Sequence, residues 1–177
     1  MTELENRLRK AIRDVPDFPE PGILFKDITP ILLDPSLCRE VVNGFLEAMK
    51  GVEIDVVAGV ESRGFLFGLP LAMALDVPFV TVRKKGKLPY HTVSYSYDLE
   101  YGSAEIEMHR DAIHSGQRVL VHDDLLATGG TAAATSELIA TQGAEVVGFT
   151  FLVELSALGG RERIETYSDH LVQLVSY

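Results

Sequence analysis

Asp123 and Asp124 stand side by side at the end of the apolar run Val119-Leu120-Val121-His122, and a loop of small residues, Ala127-Thr128-Gly129-Gly130-Thr131, follows two leucines later. Two glycines permit a tight turn and close backbone approach, two threonines offer hydroxyls, and a helix starting near Thr131 would point free N–H groups at whatever lies there. A phosphate monoester is the natural occupant of such a place. Carboxylates beside a phosphate would repel it unless they face another part of the ligand. Sugar hydroxyls, or a Mg²⁺ bound to them, would suit, as would positive charge developing on a sugar ring during bond cleavage. For the pair alone, an N-cap with a solvated neighbour is an equal alternative. The attached loop shifts the balance towards a sugar phosphate. The loop lacks the Lys of a Walker A sequence and the G-x-G-x-x-G of a dinucleotide fold.

A second group of chemically able residues is Arg83-Lys84-Lys85-Gly86-Lys87. It is conspicuous in a chain of net charge −10, which argues against nonspecific nucleic-acid binding. A surface loop or a nuclear-type basic patch would explain such a run. Placed after a strand in an acidic protein, it better neutralises a polyanion. A third group is Glu61-Ser62-Arg63. The five histidines lack helical metal-pair spacing, and the single Cys38 allows neither an internal disulfide nor a thiolate zinc site.

Those groups need a scaffold that brings them together. The 177 residues suggest one domain, with 46% hydrophobic and 24% charged residues. No apolar stretch is long enough for a membrane helix, and the opening MTELENRLRK is too polar for a signal peptide, so a cytoplasmic protein is expected. Asp34-Pro35 reads as a cap and first turn, and Leu37, Val41, Phe45 and Met49 give a helix over about 35–50. Buried-type strands are expected over 54–60, 77–82, 118–122 and 146–155, with a short last one at 171–175. Helices follow the first and third of these, over 64–75 and 131–142, and Gly143 is a natural C-cap. Residues 91–109 alternate as a β-hairpin. This order indicates an α/β fold with a mainly parallel sheet and flanking helices. Ligands in such sheets bind at the carboxyl ends of the strands, where all three polar groups would meet. The segment DVPDFPEPGILFKDITP carries four prolines that prevent regular structure across much of it. It would either pack on the domain as an arm or form a preordered wall of a ligand site.

The stretch DDLLATGGT, following an apolar strand and preceding a helix, resembles the phosphoribosyl pyrophosphate (PRPP) signature of the type I phosphoribosyltransferases. FPEPGILFKDITP, GVESRGFLFG, VRKKGKLP, YDLEYG and LVELSALGGRERI resemble, in the same order, segments of the members of that family that act on adenine. The likeness covers nearly the whole chain from about residue 16.

That resemblance implies a type I phosphoribosyltransferase-like domain spanning 1–177, with a small hood or arm over about 1–33 and a flexible hairpin flap over about 88–110. The implied reaction moves ribose 5-phosphate from PRPP to N9 of adenine, giving AMP and pyrophosphate, with Mg²⁺ as cofactor. By resemblance, Asp123 and Asp124 hold the ribose hydroxyls, with Mg²⁺ bound mainly through PRPP near them. Ala127, Thr128, Gly129, Gly130 and Thr131 cradle the 5′-phosphate. Arg63, Lys84 and Lys87 meet pyrophosphate, and Arg83 reaches a neighbouring subunit's site in a homodimer. Phe25 stacks on adenine while backbone groups of Leu24 and Lys26 read its edge. Glu100 exchanges a proton with a purine nitrogen, and Tyr101 closes over the ligand. Each has a plainer rival, Phe25 as a core anchor and Glu100 as a solvated hairpin charge. His122 stands where the family usually has Val or Ile, and a buried histidine there needs a hydrogen-bond partner. The alternatives are transfer to another purine (hypoxanthine, guanine or xanthine) and a noncatalytic PRPP-sensing regulator. No nucleic-acid or membrane partner is expected.

Overall fold

The computed structural model describes residues 2–98 and 103–177. The chain begins with a helix, α1 (Glu3–Ala11), that the proline-centred reading of this region did not expect. Its signals are local: the Thr2 side chain accepts from the Glu5 N–H, glutamates occupy the first turn and basic residues the last. Leu8 buries its side chain against the main body. Strands β1 (Arg13–Pro16) and β2 (Leu24–Asp27) then form a two-stranded antiparallel ribbon. Prolines 19 and 21 fall in the connection rather than in the ladder, which is why a short ribbon survives in so Pro-rich a segment. A 3₁₀ turn over Thr29–Leu33 leads to α2 (Pro35–Ala48), where Asp34 accepts from the N–H groups of Ser36 and Leu37 as expected.

The rest is built on β3 (Val56–Val60), α3 (Gly64–Leu75), β4 (Phe79–Lys84), β5 (Thr92–Asp98), β6 (Ser103–His109), β7 (Arg118–Leu126), α4 (Gly130–Ala140), β8 (Glu145–Glu154), α5 (Gly160–Ile164) and β9 (Leu171–Ser176). The sheet order is β5-β6-β4-β3-β7-β8-β9. Strands β4, β3, β7, β8 and β9 run parallel, and the hairpin joins antiparallel through β6 on β4. The hairpin is therefore an edge of the main sheet as well as a projection beyond it.

Apolar cores lie on both faces of the sheet. One unites α1, α2 and α3 with Val57, Leu120 and Leu152; the other packs α4 on Val121, Phe149 and Phe151. Every side chain of β3 is buried, as expected for a strand covered on both faces. Strand β7 runs further than its apolar pattern suggests. Backbone pairing with β8 continues through Asp123, Leu125 and Leu126. No helix among the described residues is long and apolar enough to cross a membrane.

Candidate active site

The carboxyl ends of β3, β4 and β7 converge as the parallel order requires. A cavity of about 100 Å³ between them is lined by residues that include Glu61, Arg83, Lys84, Tyr97, Asp123 and Thr131. Asp124 is buried, and its Oδ2 accepts from Nε of Arg63 at 2.6 Å. The Asp124 N–H donates to Oδ1 of Asp123 at 2.8 Å. Burial, then the adjacent charge of Asp124, pushes the Asp123 carboxyl well above the usual carboxylate range. Such a carboxyl is poised to gain from hydroxyls or cations brought by a ligand. The preceding His122 is wholly buried, with Nδ1 2.9 Å from Oγ1 of Thr150 and Nε2 without a protein partner. Burial drives its pKa down to about 3, so it is neutral beside the acids.

The small-residue loop sits at the start of α4. Gly129 takes a left-handed conformation, φ +73°, and a Cβ there would stand 2.6 Å from the carbonyl oxygen of Gly160. In turn, a Cβ on Gly160 would overlap the carbonyl oxygen of Ala127. The loop is thus pressed backbone to backbone against α5, a contact only glycine permits on both sides. Gly160 belongs to the site for that reason, and sequence reasoning missed it because the contact joins distant segments. Oγ1 of Thr131 lies 3.3 Å from the Tyr97 hydroxyl on the hairpin.

The basic run divides its members. Arg83 Nε donates to Oε2 of Glu61 at 2.9 Å, within the same chain. Lys85 pairs with Glu105 at 2.6 Å, while Lys84 and Lys87 are exposed. Oε1 of Glu107 accepts from the N–H groups of Lys87 and Leu88, fixing the turn that carries Lys87. Glu61 and Glu107 are the organising residues here; Glu61 belongs to the third polar group of the sequence, whereas Glu107 was not singled out from it.

The proline-rich arm faces the same site. Phe25 is half-buried and meets Phe18 edge to face at 5.1 Å. With Val15 and Asp27 they line a mainly apolar cavity of about 240 Å³. The Arg63 guanidinium lies 5.1 Å from the Phe25 ring centroid, so one side chain touches both the arm and Asp124. Lys26 turns its side chain away, onto Asp14 at 2.6 Å and the Tyr177 ring, leaving its backbone in β2. Leu24 is exposed at the ribbon's end. Glu100 and Tyr101 lie outside the described residues. Among the described residues, no cluster of three or more His, Cys, Asp or Glu could hold a metal on its own.

A small-residue loop at a helix start, paired acids and a basic strand end on this sheet define a class. The model of the phosphoribosyl transferase domain matches residues 36–174, and the chain belongs to that family, in its type I form. Within it the chain groups with the adenine phosphoribosyltransferases. It is 51% identical to the enzyme of that name from Anaeromyxobacter sp. (strain Fw109-5), over 100% of this chain and 99% of the relative. The crystal structure of adenine phosphoribosyltransferase from Rhodothermus marinus superposes with TM-score 0.93 at 53% identity, covering 98% of each chain. That from Trypanosoma brucei, solved in complex with AMP, pyrophosphate and ribose-5-phosphate, gives TM-score 0.87 at 28% identity over 99% of this chain and 80% of the other.

Proposed function

We propose that the site converts PRPP and adenine to AMP and pyrophosphate by the division of labour its geometry supports. The activity is that of an adenine phosphoribosyltransferase, a pentosyltransferase of purine salvage. The observation that supports the residue roles is the single Arg63 joining Asp124 to Phe25, a spacing that suits one ligand with its sugar at the acids and its base at the ring. The loop 127–131 holds the 5′-phosphate through backbone N–H groups and the hydroxyls of Thr128 and Thr131. Asp123 and Asp124 accept from the ribose hydroxyls and stabilise the ring as it becomes oxocarbenium-like on departure of pyrophosphate. Arg63, Lys84 and Lys87 receive the leaving pyrophosphate. Phe25 stacks on adenine, and the backbone of Leu24 and Lys26 reads its edge. Glu100 trades a proton with a purine nitrogen, and Tyr101 closes the site against water.

Two neighbouring carboxylates without a third such group beside them among the described residues fit a Mg²⁺ that would be brought largely by the substrate, with Asp123 and Asp124 as the residues that would hold it. When bound, the ion neutralises charge on the pyrophosphate oxygens.

The working unit is a homodimer. Supporting this, Leu66, Leu69 and Met73 are exposed on α3, and Leu33 beside α2 is 82% exposed, an apolar surface suited to a second copy. Arg83 then serves the partner's site once released from Glu61. The lone free thiol, Cys38, supports a cytoplasmic setting. The deciding experiment incubates the protein with PRPP, Mg²⁺ and each purine in turn and separates the nucleotides by chromatography. AMP from adenine is expected to dominate; a product mainly from hypoxanthine or guanine overturns the base assignment, and no nucleotide from any purine overturns the reaction.

A further inference from the structure

The phosphate loop, Ala127 to Thr131, contains no cation and follows two carboxylates. A phosphate monoester approaches a dianion at neutral pH, whereas backbone N–H groups and a helix dipole supply only partial charge. Charge balance calls for a cation from elsewhere. Arg63 and Arg83 are already engaged by Asp124 and Glu61, and Lys84 ends the strand assigned to pyrophosphate.

Helix α5 brings two arginines to the other side of the loop. Arg161 is held by Glu154, with Nε 3.1 Å from Oε1 and Nη2 2.8 Å from Oε2, and it also donates to Gln173. That bidentate pair to a buried carboxylate anchors the helix. Arg163, on the same short helix, is exposed and has no ion-pair partner among the described residues. Its Nη1 lies 3.5 Å from the point where a side chain on Gly130 would begin, and that point is 3.8 Å from Thr128 Oγ1. A cavity of about 140 Å³ opens there, with Gly130, Arg163, Tyr97 and Glu137 in its wall. Glu137, a carboxylate in the same cavity wall, accepts from the Tyr167 hydroxyl at 2.7 Å.

We propose that Arg163 is a binding residue for the 5′-phosphate of PRPP and AMP, reaching that group past the bare backbone of Gly130. This deepens the reading of the loop as a phosphate site and rests on it. A guanidinium fork matches phosphate oxygens in a way an ammonium does not. The absence of a side chain at position 130 keeps the path between Arg163 and the loop open, and the Gly129–Gly160 contact holds α5 at that distance.

The test measures AMP and adenosine affinities and the KM for PRPP in the intact enzyme, Arg163→Gln and Arg163→Lys. Because the residue is exposed, both variants should fold. Arg163→Gln is expected to weaken AMP and raise the PRPP KM roughly tenfold or more, leaving adenosine affinity unchanged and kcat less affected than KM. Arg163→Lys should recover part of the loss, and the difference from wild type should shrink with added salt. An Arg163→Gln variant that binds AMP as wild type does, or that loses AMP and adenosine alike, overturns the proposal while the phosphate-loop reading stands. A wild-type protein that binds neither AMP nor PRPP removes both.

Discussion

The half of the site proposed to hold ribose phosphate and the half proposed to face the base are built on opposite terms. Asp123, Asp124 and the phosphate loop continue β7, a strand flanked by β3 and β8 and covered on both faces. Phe25 and its neighbours ride on a two-stranded ribbon at the surface, held mainly by Phe18, Arg63 and the Lys26–Asp14 pair. A group fixed by the core is positioned precisely enough for bond breaking, and changing it disturbs everything nearby. A peripheral platform can change its preference at little cost to the fold. The common part of the reaction therefore belongs in the core and the selective part on the rim.

That contrast can be broken by experiment. The largest effect is expected from Asp124→Asn, which removes a buried charge proposed to face the ribosyl ring and leaves Arg63 without its partner. The kcat/KM for PRPP should fall about two to three orders of magnitude with every purine tried; a loss confined to adenine would place Asp124 in base recognition. Gly160→Ala comes next. Its Cβ collides with the Ala127 carbonyl and must shift the loop, costing about 100-fold in turnover with PRPP although residue 160 lies outside the 127–131 loop itself. Full activity in that variant would show the loop to be freely adjustable. Phe25→Ala should raise the KM for adenine about tenfold through lost stacking and leave PRPP affinity as it was. If PRPP binding falls equally, the two halves are not separable.

The smallest effect lies at the opposite end of β7. Hydrogen bonds from Arg118 hold the Asp55 carboxyl down at about 2, below its ordinary 3.8. Its folded pKa being the lower, the pair contributes fully above pH 3.8 and loses its contribution as pH falls from 3.8 towards 2. Asp55→Asn should flatten the acid limb of stability, followed by urea unfolding at pH 5 and pH 3, and leave turnover unchanged. A loss of turnover would mean that the far end of the strand governs the site.

Local signals carried most of the scaffold into view. The Asp34-Pro35 cap, the four-residue recurrence from Leu37 to Met49 and the apolar runs of β3, β4, β7 and β8 each act within a few residues and can be read from the chain. The acid pair and its loop are contiguous, so their meeting at one place was legible as well. Helix α1 has a readable cap in Thr2 and Glu5, but the prolines that follow it dominate the local pattern. The extension of β7 through the acids was not legible from polarity, because ladder hydrogen bonds ignore side-chain charge. The Arg63–Asp124 pair, the Glu61–Arg83 pair and the Gly129–Gly160 contact join segments far apart in sequence, and only the folded topology determines them.

The backbone-on-backbone seat of Gly129 against Gly160 also bears on how the protein is made. During synthesis β7 and α4 emerge well before residue 160, so the turn between them exists for a time without the wall that shapes it. Competence to grip a nucleotide is therefore acquired late, when β8 has joined the sheet and α5 docks, and a chain cut off before that point carries the signature in its sequence but not its form.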